Sequence, residues 1–365
     1  MNILIPLTDL KALAARASAV TPDKPTAPVL GCVIVAASFD GIDVTASDAG
    51  ITYKGRTPCN VVQPGTIAVP ARDLLAAAKN LPDGAVRLSV PKEGKVLLES
   101  GRSKTTLPTH DPKDYPMPAE VVASRTVTLP CADLARVIDD VVLSIAPDDN
   151  KYGMNVAKVE RNGKAIRLVA TDGLGRLAYS ETEAAGDDPG KRANIPRRGL
   201  TELRKLLDGG GDVTLAFGDR AIIATVGTSV LHMRLAEVDF PDYRQVLPTQ
   251  FKRKIMLDRA EFLTALRRVA YLHSEVKVDI AADGTVTLTT KALDRGESVA
   301  EVTADLAGEP MTIGYVAPIL IDALSSMGGD RALLELGDTL SPGRLTDPEY
   351  PTALWIVMPA RLAGS

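Results

Sequence analysis

The sequence predicts an α+β protein of three similar domains, each holding two helices and many short antiparallel strands. Three observations predict it. A long-period internal repeat runs through the 365 residues. Apolar residues recur at helical spacing in six short segments. Between those segments, apolar and polar residues alternate around Asp-Gly, Asn-Gly and Pro-rich turns.

The repeat is read most easily from one helix in each copy. "VPARDLLAAAKNLPDGAVRLSV" from Val69, "IPRRGLTELRKLLDGGGDVTLAF" from Ile195 and "GYVAPILIDALSSMGGDRALLEL" from Gly314 share one plan. A short strand turns into a helix, a glycine-containing stop follows, and an alternating strand resumes. Leu200, Leu203, Leu206 and Leu207 make one apolar stripe, and the run Gly209 to Gly211 ends that helix. A second helix precedes each of these, in "PLTDLKALAARASAV" from Pro6, "PCADLARVIDDVVLSIA" from Pro130 and "DRAEFLTALRRVAYL" from Asp258. Leu10, Leu134 and Phe262 are equivalent in this reading, and the strands "DVTASD" at 43–48 and "RLVATD" at 167–172 echo each other. The period is too long for a solenoid, so each copy is expected to be a domain: 1–122, 123–250 and 251–365, with linkers near 118–126 and 248–254.

Composition bounds the rest. The chain is 45% hydrophobic but only 4% aromatic, so its core must be mostly aliphatic. No apolar run approaches the ~18 residues of a membrane span, and "MNILIPLTDLKAL" lacks the features of a secretion signal. Cys32, Cys59 and Cys131 are widely spaced and odd in number, which points to reduced thiols in a cytoplasm. The net charge of −4 gives no hint of a nucleic-acid partner, but it hides a segregation of signs.

Basic residues gather on or beside the helices: Lys11, Arg16, Arg72, Lys79, Arg136, Arg197, Arg198, Arg204, Lys205, Arg259, Arg267 and Arg268. Lys24, Arg102 and Lys104 add to them. The last helix has none, while acidic residues favour strands and loops such as "ETEAAGDDPG". Solvated helix faces would explain any single helix; five of six carrying Arg or Lys points to a shared basic surface. Six helices closed at ~10 Å spacing leave a hole of ~10 Å, and twelve leave ~29 Å. A B-form duplex with its counterions is ~20 Å across. If the basic helices face a duplex, two chains are needed to surround it.

Seven segments stand out beyond the repeat: "KPTAPVLG" (24–31), "VPAR" (69–72), "LLESGRSK" (97–104), "VATDG" with "RLA" (169–178), "IPRR" (195–198), "FPDYRQVLP" (240–248) and "VMPARL" (357–362). With them the sequence resembles a known family, the bacterial DNA sliding clamp or DNA polymerase III beta subunit, and the likeness runs from Met1 to about Leu362. The resemblance implies the DNA clamp fold and a head-to-tail homodimeric ring that encircles duplex DNA without reading its sequence. It implies a processivity factor without catalytic activity or cofactor, acting on the cytoplasmic nucleoid.

Carried over position by position, the resemblance implies three surfaces. DNA contacts fall on Lys24, Arg72, Arg102, Lys104, Lys151, Tyr152, Arg197 and Arg198. A cleft for short linear peptides of polymerase and clamp-loader subunits falls on Met154, Thr171, Gly173, Leu174, Arg176, Leu177, Pro241, Gln245, Val246, Leu340, Pro342, Ile356, Val357, Met358, Pro359 and Arg361. Leu177, Val246, Ile356 and Met358 are expected in its deeper part, and "WIVMPARL" as a tied-down edge strand with a working face. The subunit interface falls on an edge strand at Thr105 and Leu107 and on the segment of Tyr271 and Leu272.

The chain departs from the family pattern in places. "TDGLGRLA" has one residue more than usual, with Leu174 and Gly175 where a histidine is common. Gln245, Ala360 and Gly153 replace a frequent arginine, methionine and tyrosine.

Enzyme readings find little material. His110, His232 and His273 have no i,i+4 partner histidine and lie in no ligand motif. Asp48 and Asp172 hold equivalent repeat positions, which suggests turn chemistry rather than a catalytic pair. The alternatives are a peptide-binding scaffold that never retains DNA and, more remotely, a carboxylate-dependent hydrolase.

Overall fold

The computed structural model describes residues 1–48, 50–117, 122–147, 154–292 and 294–361. Six α-helices follow the repeat: α1 (Leu7–Val20), α2 (Ala71–Asn80), α3 (Cys131–Val141), α4 (Arg197–Leu206), α5 (Arg259–Ala270) and α6 (Ala317–Ser326). Their starts are written locally. Pro6, Pro70, Pro130 and Pro196 stand immediately before α1 to α4, where a fixed φ and a missing N–H cost nothing. Asp258 instead caps α5, its carboxylate accepting the N–H of Glu261 at 2.8 Å. On α1, Leu7, Leu10, Leu13, Ala14, Ala17 and Val20 are buried, a single stripe at helical spacing. The predicted stop after α4 is a 3-10 turn, Leu207–Gly209, followed by Gly210 and Gly211 in the left-handed region at φ 70° and 74°.

The chain folds into two compact units. The first comprises Met1–Cys131 with Thr201–Leu235, the second Ala132–Leu200 with Ala236–Ser365. In the first unit α1 packs on α2. Its main sheet runs in the order Arg125–Pro130, Asp212–Phe217, Ala221–Val226, Ser229–Arg234, Ile51–Thr57, Gly41–Ser47, Cys32–Ser38, Gly65–Pro70. A smaller sheet ends at the edge strand Ser103–Pro108.

In the second unit α5 packs on α6. One long sheet runs from Asn194–Pro196 through Val156–Asn162, Ala165–Thr171, Arg176–Glu183, Ala353–Val357, Gly343–Thr346, Arg331–Leu336 and Arg253–Asp258. It continues through Gly296–Ala307, Thr285–Ala292, Glu275–Ile280, Met311–Val316 and Pro359–Ala360.

The core is mostly aliphatic, as the composition requires, and about half of the few aromatic side chains are buried in it. Trp355, Tyr53, Tyr243, Tyr315, Phe217 and Phe262 are the largest fully buried side chains. Among the described residues no helix is long and apolar enough to cross a membrane.

Candidate functional site: an apolar cleft and basic helix starts

The sharpest local structure in the second unit is the turn that leads into Arg176–Glu183. One carboxylate oxygen of Asp172 accepts the N–H groups of Leu174, Gly175 and Arg176 at 2.8–2.9 Å. The other accepts the Arg176 guanidinium at 3.1 Å. Burial pushes the Asp172 carboxyl up, but these donors outweigh it and hold the group below its ordinary value. The Thr171 hydroxyl donates to the Arg176 carbonyl and accepts the Gly173 N–H, with Gly173 at φ 73°. Gly175 is packed so closely that an added Cβ would stand 2.7 Å from Cδ1 of Ile319. The extra residue that the sequence shows here is thus absorbed into a turn saturated with hydrogen bonds. Asp48 does the same work in the first unit, accepting from Gly50 and Ile51, which fits the turn role expected of both aspartates.

Arg176 is less available than its position suggests. Its second guanidinium nitrogen donates to Asp322 of α6 at 2.8 Å, so the side chain bridges two carboxylates.

Beneath the turn lies an apolar cluster of Val169, Leu177, Tyr243, Leu354 and Ile356, flanked by Tyr179, Phe240 and Leu247. Of the four residues expected in the deeper part, Leu177 and Ile356 are buried, whereas Val246 and Met358 are exposed, at 48% and 38%. Leu174 and Leu340 are still more open, Gln245 and Arg361 are exposed, and Met154, Pro342 and Pro359 are half-buried. Pro241 is exposed beside Phe240.

The segment expected as an edge strand divides: Pro359–Ala360 is the terminal strand of the sheet, paired with Met311–Val316, but the part before it is not an edge. Ala353–Val357 is paired on both sides, with Arg176–Glu183 and with Gly343–Thr346, and all five of its residues are buried. The chain is tied at Trp355, whose indole N–H donates to the Asp140 carbonyl, and again at Met358, whose N–H donates to the Gly175 carbonyl.

Tyr243 lies within "FPDYRQVLP", yet the sequence assigns it no role. It is the hub of the site. Its hydroxyl donates to Glu160 at 2.6 Å and accepts from Arg167 at 3.0 Å, while Arg244 reaches the same Glu160 oxygen. Burial and the Glu160 carboxylate push its phenol up to about 12, so it stays a neutral donor. A tyrosine between an acid and a base would have been the available signal. Asp322 and Ile319 carried no signal, because only the fold brings α6 to the turn.

The basic candidates divide. Lys24, Arg102 and Arg198 are exposed. Arg72 pairs with Asp23, and Lys104 with Glu99 at 2.8 Å. Arg197 is half-buried and donates from its guanidinium to the Ile145 carbonyl at 2.9 Å, so it holds the loop after α3. Lys151, Tyr152 and Gly153 lie outside the described residues.

Of the interface candidates, Thr105 and Leu107 are half-buried on the edge strand Ser103–Pro108. Tyr271 and Leu272 lie on no strand: they follow the C-terminus of α5, with Tyr271 exposed and Leu272 buried. Besides the terminal strands of its sheet, the second unit has an open main-chain edge along Gly296–Ala307. Its last four residues pair with Lys254–Leu257, and among the described residues its first half pairs only with Thr285–Ala292.

Comparison with known proteins agrees with this architecture. Models of the N-terminal, central and C-terminal domains of the DNA polymerase III beta subunit match residues 1–119, 128–242 and 244–361. The beta sliding clamp of Caulobacter vibrioides is 31% identical over 97% of both chains. A crystal structure of the sliding clamp of Pseudomonas aeruginosa bound to griselimycin has a TM-score of 0.90 at 28% identity, covering 99% of this chain and all of that one. The griselimycin-bound clamp of Bartonella birtlesii gives 0.91 at 26%, with the same coverage. Nothing in these relatives supports the hydrolase or the DNA-free scaffold. With three domain models in series and a relative alike along nearly its whole length, this chain belongs to the DNA polymerase III beta-subunit family of sliding clamps, the non-catalytic processivity subunits of the polymerase.

Proposed function

We propose that two copies of this chain close head to tail into a ring around duplex DNA, in the cytoplasm at the nucleoid. The ring slides and tethers polymerase and clamp-loader subunits by short linear peptides. The apolar cluster of Leu177, Tyr243, Leu354 and Ile356, with Val246 and Met358 exposed two or three residues further along the same segments, is the observation that carries the tethering reading. The cluster supplies apolar contact area, and Met358 adds an exposed, adaptable side chain. Two apolar anchors at roughly 1.5–3 kcal/mol each, with a few backbone hydrogen bonds, bring a hexapeptide toward the ~8 kcal/mol of a micromolar complex. Such weak binding lets partners exchange.

The DNA reading is supported by the exposed Lys24, Arg102 and Arg198. Phosphate contacts of this kind carry no sequence information and weaken steeply with salt. The dimer reading is supported by two open strand edges, Ser103–Pro108 and the first half of Gly296–Ala307, which main-chain pairing would cover. Thr105 and Leu107, with Tyr271 and Leu272, would then lie at the seam.

The test is retention on nicked circular DNA after loading with a clamp loader. The ring model expects a complex that survives high salt and is released when the circle is linearised. Release that does not depend on linearisation, or a strictly monomeric solution mass at micromolar concentration, overturns it.

A further inference from the structure

The Asp172 turn and its cleft have a counterpart in the first unit. After the Asp48 turn, Ile51–Thr57 pairs with Ser229–Arg234, with Ile51 opposite Met233 and Thr52 opposite His232. After the Asp172 turn, Arg176–Glu183 pairs with Ala353–Val357, with Arg176 opposite Val357 and Leu177 opposite Ile356. Thr52, His232 and Arg234 therefore hold the positions that Leu177, Ile356 and Met358 hold in the cleft. An Asp-Tyr pair recurs too: buried Tyr115 after Asp114, and buried Tyr243 after Asp242.

A pocket of about 590 Å³ opens at this place, lined among others by Lys24, Leu30, Tyr115, Met117, His232 and Arg234. Its chemistry differs from that of the cleft. The positions equivalent to Leu177 and Ile356 are polar, and the one equivalent to Met358 is cationic. Lys24 and Arg234 are exposed and, among the described residues, make no side-chain hydrogen bond or ion pair. The one carboxylate in the lining, Asp48, is engaged by its own turn. Nδ1 of His232 is buried and has no hydrogen-bond partner among the described residues. Leu30, Tyr115, Met117 and Met233 supply the apolar part.

We propose that this pocket is a second peptide site, and that it takes an acidic linear segment of a partner protein. One apolar side chain enters beside Tyr115 and Met117, and a carboxylate answers Arg234. A duplex brings phosphates but no apolar group to fill such a concavity, whereas a peptide with an acidic residue beside a Leu or Phe brings both. This second site rests on the peptide-capture reading given above, but it is built from different residues.

The test uses the full chain and two labelled hexapeptides, Glu-Asp-Leu-Phe-Glu-Asp and its neutral counterpart Gln-Asn-Leu-Phe-Gln-Asn, followed by fluorescence anisotropy. The acidic peptide is expected to bind at least 10-fold more tightly than the neutral one. Arg234→Glu, and separately Met117→Glu at an exposed position, should each weaken it at least 10-fold with unchanged thermal unfolding. Met358→Lys should leave it within twofold. No binding of the acidic peptide to wild type, or equal binding by Arg234→Glu and wild type, overturns the proposal. Loss in Met358→Lys alone means that the peptide uses the other cleft, which overturns this site and leaves the tethering reading intact. Conversely, a polymerase-derived peptide indifferent to Met358→Lys sinks the first cleft without touching this one. If a 20-base-pair duplex displaces the acidic peptide and is itself weakened by Arg234→Glu, the rim is a phosphate contact and the proposal fails.

Discussion

The indole N–H of Trp355 donates to the main-chain carbonyl of Asp140 at 2.7 Å. It joins the last turn of α3 to a strand that follows more than two hundred residues later in the chain. Trp355→Phe keeps most of the apolar volume but leaves that buried carbonyl without its donor. A cost of about 1–3 kcal/mol is expected, read as a lower midpoint in urea unfolding. An unchanged midpoint would show that another donor replaces the indole.

The side chain of Asp140 predicts a pH dependence. Burial pushes its carboxyl up to about 6, and Asp139 and Asp347 push the same way, while Ser180 and Arg136 oppose them. An acid whose folded value is raised holds more protons folded than unfolded, so its contribution to stability is lost as pH rises through about 6. Between pH 5 and 8 wild type should therefore lose roughly 1.4 kcal/mol relative to Asp140→Asn, the equivalent of about one pH unit of differential protonation. His232 has the opposite sign, because burial and Lys54 lower it, but it is common to both proteins and cancels in the difference. Parallel stability–pH curves for the two proteins would sink the assignment.

Met358→Lys replaces an exposed apolar side chain beside the Asp172 turn with a charge. Affinity for a labelled polymerase-derived peptide should fall at least ~10-fold, since ~1.4 kcal/mol suffices for that. Dimer mass and DNA retention should not change. Equal affinities would show that the cleft lies elsewhere.

For DNA, the informative variant joins Lys24→Ala, Arg72→Ala and Arg198→Ala and leaves Arg197 in place, because Arg197 supports the Ile145 carbonyl. The slope of log K against log salt should shrink by up to ~0.9 for each phosphate that is no longer neutralised. A slope equal to wild type would remove these residues from the DNA surface. Adding Arg197→Ala should lower thermal stability as well.

Leu107→Asp puts a charge on the half-buried face of the edge strand Ser103–Pro108. Light scattering at micromolar concentration should show a larger monomer fraction than wild type. No shift would place the subunit seam off this edge.

Much of the fold was legible because its signals are local. Pro6, Pro70, Pro130 and Pro196 announce helices, Gly210 and Gly211 end one, and the alternating strands fix their own faces. The turn role of Asp48 and Asp172 followed from their matching positions alone. What escaped was long-range. The sequence does not reveal that Ala353–Val357 is paired on both sides, since an edge strand and a central one can carry the same apolar run. Nor does it reveal that Arg176 is shared with Asp322, or that Leu272 is buried while Tyr271 beside it is exposed. Those facts depend on which elements meet, and pairing at such sequence distances leaves no local periodicity.

The chain leaves the first unit after Cys131 and returns to it at Thr201, and only at Leu235 is that unit complete. On the ribosome this imposes an order. The strand Ile51–Thr57 waits for Ser229–Arg234 to emerge, and at ~5–20 residues per second the interval from Cys131 is roughly 5–20 s. Through that time a nascent chain displays an unpaired strand edge and apolar side chains meant for burial. Slow stretches of translation between residues 131 and 235 would lengthen this exposure.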